Sequence, residues 1–133
     1  MIKILLVSED KNVINRFKNI FSKNSYDLEV MTDENLICDL ISVEVPDIVI
    51  IDTKFSKTKD LNKKIKSICE NTIIILALSN SSVEKDLIKF ANAFITEEMN
   101  NDLVLSTISV NLRMKNSLEM LSSSNKDLAD SLY

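Results

Sequence analysis

Two stretches of this 133-residue chain combine residue types and settings that can do chemistry. Ser8-Glu9-Asp10 directly follows the apolar run Ile2 to Val7, and Asp52 directly follows Ile48-Val49-Ile50-Ile51. Carboxylates at the ends of two neighbouring strands suit a hard divalent cation such as Mg2+, which takes oxygen ligands and keeps several waters, so Glu9, Asp10 and Asp52 are the candidate ligands. An Asp beside such a metal can attack a phosphoryl group as nucleophile while the ion offsets the charge on the transferred oxygens. The plainer reading is that strand-end acids cap the helices that follow them or face solvent.

Composition removes most other chemistries. The chain has no Gly and no His, although ordinary usage of about 7% would supply roughly nine glycines. Without Gly there is no Walker loop, no dinucleotide-binding GxGxxG turn and no nucleophile elbow, each of which needs backbone that a Cβ obstructs. Without His there are no Ser-His-Asp or Cys-His systems, no His-ligated metal and no histidine phosphorelay on this segment. Sixteen Lys and Arg against twenty Asp and Glu leave a net charge of −4, which argues against a sequence-independent grip on nucleic acid or on an anionic membrane and points to protein partners. The apolar runs of about six residues are far below the roughly twenty that a membrane span needs, and a cytoplasmic location is expected. Cys38 and Cys69 lie in helix-like apolar patterns and read as small buried or half-buried hydrophobes.

Positioning the two acidic sites requires alternating strands and helices. Ile2 to Val7 reads as a buried parallel strand, and Val13, Ile14, Phe17, Ile20 and Phe21 as the apolar stripe of a helix that Asp10 can cap. Leu28 to Met31 reads as a shorter, edge-like strand, Leu36, Ile37, Leu40 and Ile41 as a helix face, and Ile48 to Ile51 as a central strand introduced by Pro46. Leu61, Ile65 and Ile68 predict a third helix, Ile73 to Leu78 a fourth strand, Val83, Leu87, Ile88 and Ala91 a fourth helix, and Ala93 to Thr96 a fifth strand. The pattern predicts an α/β fold, a doubly wound five-stranded parallel sheet in the flavodoxin-like order 2-1-3-4-5, with an extended C-terminal helix. In such a sheet a site forms at the carboxyl ends of the strands beside the switch point, where Ser8, Glu9, Asp10 and Asp52 converge.

Taken together, these features resemble the receiver domain of two-component response regulators over about residues 1 to 112. Ile4 to Val7 followed by Ser8-Glu9-Asp10 is similar to the family's first strand and acidic cluster. Pro46 to Asp52 is similar to the strand that delivers the phosphoacceptor, the most specific of the matches. Thr72 to Leu78 resembles the fourth strand and Ala93 to Thr96 the fifth, with Phe94 at the place of the aromatic that reports switching. The resemblance implies Asp52 as phosphoacceptor, a sensor histidine kinase or other signalling protein as partner, and no enzymatic activity beyond self-phosphorylation from a kinase or small phosphodonor.

The departures from that pattern sit at the site itself. Ser8 and Glu9 align with the family's two acids, so one metal carboxylate is missing and the other is one methylene longer, which weakens an Mg2+ site. Ala77 takes the place of the usual hydroxyl, Glu97 that of the usual Lys, and Glu98 that of the Pro after it, while Asp60 lies near the place of the loop Gly. Lys54, Lys57 and Lys59 follow Asp52, and Lys54 is the nearest candidate to compensate charge; Ser79 is a late candidate for the lost hydroxyl. Two readings follow: a receiver phosphorylated poorly or atypically on Asp52, and a phosphorylation-independent pseudo-receiver acting as an interaction and dimerisation module. An independent enzyme has little support, because a flavin phosphate loop would not be acidic after the first strand and an Asp-x-Asp phosphatase would need an acid at Lys54.

From about Glu98 onward the chain lacks helix breakers, and residues 113–133 read as a helical extension beyond the domain. Val104, Leu105, Ile108 and Leu112 can pack on the sheet. Beyond them Asn111, Leu118, Asn125 and Leu132 fall at one heptad position and Met114, Leu121 and Leu128 at the other, as in a parallel dimeric coiled coil. Ser122-Ser123-Ser124 weakens that helix. The extension is similar to linkers that join receivers to outputs such as diguanylate cyclase or kinase domains, and the heptad pattern still running at Tyr133 is what a piece of a longer chain would show. No recognition helix supports direct DNA binding.

Overall fold

The computed structural model describes residues 2–24, 26–54, 58–68, 71–78, 89 and 91–132, with side chains described at all of these except 34, 58, 59, 62 and 118–132. The elements run β1 (Ile2–Val7), α1 (Lys11–Ser22), β2 (Tyr26–Met31), α2 (Glu34–Val43), β3 (Ile48–Asp52), α3 (Thr58–Ile68), β4 (Ile73–Leu78), β5 (Ala93–Thr96) and α4 (Asn101–Leu132). The strands form one parallel sheet in the order β2-β1-β3-β4-β5, as the pattern predicts. The helix expected over Val83, Leu87 and Ile88 lies outside the described residues, as do Cys69, Lys57 and Ser79.

Strand residues alternate between faces, so each strand feeds two cores. Ile4, Leu6, Ile48, Ile50, Ile73, Ile75 and Ile95 pack with Phe17, Ile20 and Phe21 of α1 and Val104 and Ile108 of α4. Leu5, Val7, Val49, Ile51, Ile74 and Leu76 pack on the other face with Ile37 and Ile41 of α2 and Leu61 and Ile65 of α3. This two-sided burial explains the uninterrupted apolar reading of β3 and β4. Phe94 is half-buried on the α2/α3 face. Ile68 is 41% exposed, so among the described side chains of α3 Leu61 and Ile65 are the apolar anchors, and Lys66 adds a hydrogen bond to the Thr72 carbonyl at 2.9 Å. Cys38 is half-buried and packs beside the second core.

Local polar contacts set the element ends. Asp10 caps α1 by accepting the Asn12 amide at 2.8 Å, and Asp33 caps α2 through the amides of Asn35 and Leu36. Asp47, just before β3, accepts the Lys3 amide on its carboxylate at 2.9 Å, while its carbonyl accepts the Ile73 amide at 3.3 Å. β2 begins at Tyr26, two residues before the expected Leu28, because Tyr26, Leu28 and Val30 all lean on the first core. Likewise α4 starts at Asn101 and not near Glu98, because the Asn100 side chain accepts the Leu103 amide at 2.8 Å and ends the turn through Glu97 and Glu98. Among the described residues no helix is long and apolar enough to cross a membrane.

Candidate functional site

Period-two alternation carries four sequence positions to one place. Residues 4, 6 and 8, 48, 50 and 52, 73, 75 and 77, and 93, 95 and 97 continue the α1/α4 face of β1, β3, β4 and β5 to their carboxyl ends. Asp52, Ala77 and Glu97 accordingly line one cleft of about 290 Å3, together with Asp10, Asn12, Arg16, Phe17 and Lys54. Ser8 lies beneath it, fully buried.

Asp52 is 1% exposed, and internal donors hold both of its carboxylate oxygens. The Ser8 hydroxyl donates to Oδ2 at 2.9 Å. The backbone N–H of Lys54 donates to Oδ1 at 3.0 Å. Ser8 is itself positioned, because its oxygen accepts the Asp10 amide at 3.1 Å. A buried carboxylate satisfied in this way avoids the desolvation cost of an unpaired one.

Lys54 does not place its ammonium on Asp52. It reaches across the cleft mouth to Asp10 Oδ2 at 2.8 Å. That hydrogen bond holds the Asp10 carboxyl below its ordinary value, aided by the Asn12 amide. The same bond raises the Lys54 ammonium against an opposing effect of burial, with Asp52 and Glu97 adding attraction. Asp10 is therefore both helix cap and ion-pair partner. Glu97 is exposed at the rim. Ala77 is 8% exposed, and its carbonyl accepts from the amide and the hydroxyl of Thr53 at 3.1 and 3.3 Å.

Arg16 is a site residue that sequence reasoning missed. Its guanidinium donates to the Thr96 carbonyl at 3.0 Å and the Met99 carbonyl at 2.7 Å, and lies over the Phe17 ring. It therefore clamps α1 to the turn that carries Glu97. The available signal was its spacing, three residues after Val13 and four before Ile20, on the edge of the buried stripe.

The donor set does not fit Mg2+. Glu9 is exposed and does not line the cleft. Asp10 and Asp52 have both of their carboxylate oxygens engaged by protein donors. Among the described residues no three His, Cys, Asp or Glu side chains are gathered as a metal-ion site. Near-ideal octahedral coordination would have to draw on carboxylate oxygens that already accept protein hydrogen bonds, without a third carboxylate from Glu9.

On α4, Val104 and Ile108 are buried, Asn111 is half-buried and donates to the Thr107 carbonyl at 2.8 Å, and Met114 is 59% exposed. The remaining heptad residues, Leu118, Leu121, Asn125, Leu128 and Leu132, lie on the helix beyond the described side chains.

No family model matches the sequence, and no curated protein does. Solved structures match its shape. NtrX from Brucella abortus in complex with ADP covers 100% of this chain at 18% identity and a TM-score of 0.86, and the chain spans 31% of that protein's length. The N-terminal domain of a response regulator/sensory box/GGDEF 3-domain protein from Carboxydothermus hydrogenoformans is 17% identical, with 86% of this chain and 97% of that one covered and a TM-score of 0.76. A CheY-like response regulator receiver domain from Methanospirillum hungatei JF-1 is 20% identical, with 88% and 98% covered and a TM-score of 0.78.

Proposed function

The fold is that of the response-regulator receiver domain, and we propose that the chain works as a two-component signalling receiver whose Asp52 accepts a phosphoryl group poorly. One observation carries the reading: the residue at the phosphoacceptor's place is buried at the head of the cleft, with both oxygens already held by Ser8 and by the Lys54 amide. In transfer from acetyl phosphate, an Asp52 oxygen forms the new O–P bond as the donor's acyl O–P bond breaks and acetate leaves. The hydrogen bond from Ser8 or from the Lys54 amide lowers the nucleophilicity of that oxygen. No hydroxyl at Ala77 and no cation at Glu97 receives the incoming phosphoryl oxygens. These features slow modification relative to a receiver with an open carboxylate.

A phosphorylation-independent pseudo-receiver is the second reading, and the ion pair between Asp10 and Lys54 favours it, because it settles the rim's charge without a phosphoryl group. In either case α4 is the route outward. At 32 residues and 1.5 Å per residue it is roughly 48 Å long, and its heptads suit a parallel homodimer leading to an output such as a cyclase or kinase domain. The partners supported by this reading are a sensor kinase or another signalling protein, in the cytoplasm.

Intact mass after incubation with acetyl phosphate or carbamoyl phosphate, beside an Asp52→Asn control, tests the proposal. Slow, partial gain of one phosphoryl mass that the control lacks supports an impaired receiver. No gain by folded protein supports the pseudo-receiver.

A further inference from the structure

Resting on the receiver reading, we propose that the Lys54 ammonium is a built-in cation that occupies the place a divalent metal would need, so that the rim excludes such ions as long as Lys54 is present. Among the described residues three carboxylates, Asp10, Asp52 and Glu97, line the cleft against two cations, Lys54 and Arg16. Arg16 is turned away from this charge: both of its donating nitrogens serve backbone carbonyls at the end of β5 and in the turn after it. Lys54 remains, and its ammonium sits 2.8 Å from Asp10 Oδ2, between the loop after β1 and the loop after β3. That is the gap a shared metal would have to bridge.

The same residue works twice. Its amide holds Asp52 Oδ1 at 3.0 Å while its side chain holds Asp10. Because the cation is tethered by the neighbouring loop to the carboxylate it neutralises, it pairs without losing the translational and rotational entropy that a free ion or ligand loses on association. A divalent ion entering there would lose the Asp10 oxygen to Lys54 and meet a like charge at close range. The other Asp10 oxygen is committed to the Asn12 amide at the start of α1.

Mn2+ is the probe, read on the full chain by paramagnetic broadening of amide resonances, with Mg2+ as competitor. In the wild type, Ser8 to Asn12 and Asp52 to Lys54 broaden no more than amides beside isolated surface carboxylates at millimolar Mn2+. Lys54→Met broadens those amides selectively and saturably, with at least tenfold tighter apparent binding that Mg2+ reverses. Lys54→Arg, which keeps the charge, stays like the wild type. Saturable broadening of the wild-type rim overturns the proposal, and so does a folded Lys54→Met that binds no better. Lys54→Gln stands in if Lys54→Met loses its dispersed amide spectrum. The readout is independent of phosphorylation, so failure of the receiver reading is seen in the mass experiment and failure of this inference in the broadening.

Discussion

The Ser8 hydroxyl lies 2.9 Å from Asp52 Oδ2, a contact between two buried side chains 44 residues apart that joins the ends of β1 and β3. Ser8 stands where the receiver domains that the sequence resembles carry an acid. An acid there would place a second carboxylate against Asp52, tolerable with a metal between them and repulsive without one. A hydroxyl supplies a donor instead, so the substitution removes a metal ligand and stabilises the remaining carboxylate in the same step.

Ser8→Ala therefore removes a donor from a buried carboxylate and an acceptor from the Asp10 amide. The expected loss of stability is about 1–3 kcal/mol, since the groups left behind lose their partners without regaining water. Urea unfolding followed by circular dichroism measures it. A loss below about 0.5 kcal/mol, the range of ordinary surface substitutions, would mean that Ser8 does not hold Asp52.

The pair formed by Lys54 and Asp10 predicts a pH dependence. The folded Asp10 carboxyl lies below its ordinary 3.8, so its contribution is complete above that value and is lost as pH falls through the lower folded value. The folded Lys54 ammonium lies above its ordinary 10.5, so its contribution is complete below that value and is lost as pH rises through the higher folded value. The stability difference between wild type and Lys54→Met should be flat from about pH 5 to 9 and vanish toward both extremes. Lys54 is exposed and Asp10 half-buried at the cleft mouth, so added salt should shrink it. A difference that persists at pH 2 would assign the effect to packing of the Lys54 stem.

Arg16→Ala should loosen the turn between β5 and α4, because the carbonyls of Thr96 and Met99 lose their donors together. A cost of about 1–2 kcal/mol is expected for two partly solvated bonds to a charged donor. Faster amide hydrogen exchange should be confined to residues around Met99 and the first turn of α4. Arg16→Lys should rescue little, since an ammonium cannot reproduce the two-pronged geometry. Uniform acceleration across the sheet would contradict a local clamp.

Reversing the departures should improve modification of Asp52. Ala77 and Glu97 both line the cleft beside it, so Ala77→Thr with Glu97→Lys adds a hydroxyl and exchanges a repulsive charge for an attractive one. The initial rate of mass gain with carbamoyl phosphate should rise by about tenfold or more, equivalent to roughly 1.4 kcal/mol of barrier. An unchanged rate would place the limitation at Ser8 and Lys54, whose hydrogen bonds the double variant leaves intact.

Much of this architecture could be read directly from the chain, because it depends on local rules. The β-branched runs at Ile48 to Ile51 and Ile73 to Leu78 require burial on both faces, and that requirement fixes strands, sheet type and order together. Asp52 was legible for the same reason, as the first polar residue at the end of a buried run. The partners of Asp52 and Lys54 were not. Ser8 read as the absence of an acid, although counting in twos from Ile4 and Leu6 places it on the face of Asp52. The preference of Lys54 for Asp10 over Asp52 depends on the path of the loop after β3 and on the capping turn at α1, and no periodicity encodes either. Arg16 was hidden by lying on an otherwise apolar stripe, where a long side chain can bury its stem and still donate at its tip.

Helix α4 is anchored at one end and carries its heptad pattern at the other. Val104 and Ile108 are fully buried against the sheet, so Ile108→Ala should destabilise the domain by about 2–5 kcal/mol through the cavity it leaves. Leu118→Ser with Leu121→Ser lies beyond that anchor and should leave domain stability within about 0.5 kcal/mol of the wild type. If the heptads pair two copies of the chain, the serine variant sediments as a monomer while the wild type and the more weakly folded Ile108→Ala protein remain dimers at concentrations where they are native. Asn111 and Asn125 at the a positions favour two strands over three, so a trimer is not expected. A wild-type protein that sediments as a monomer at tens of micromolar would remove the dimer and leave α4 as a single helix that transmits movement of β5 by its packing alone.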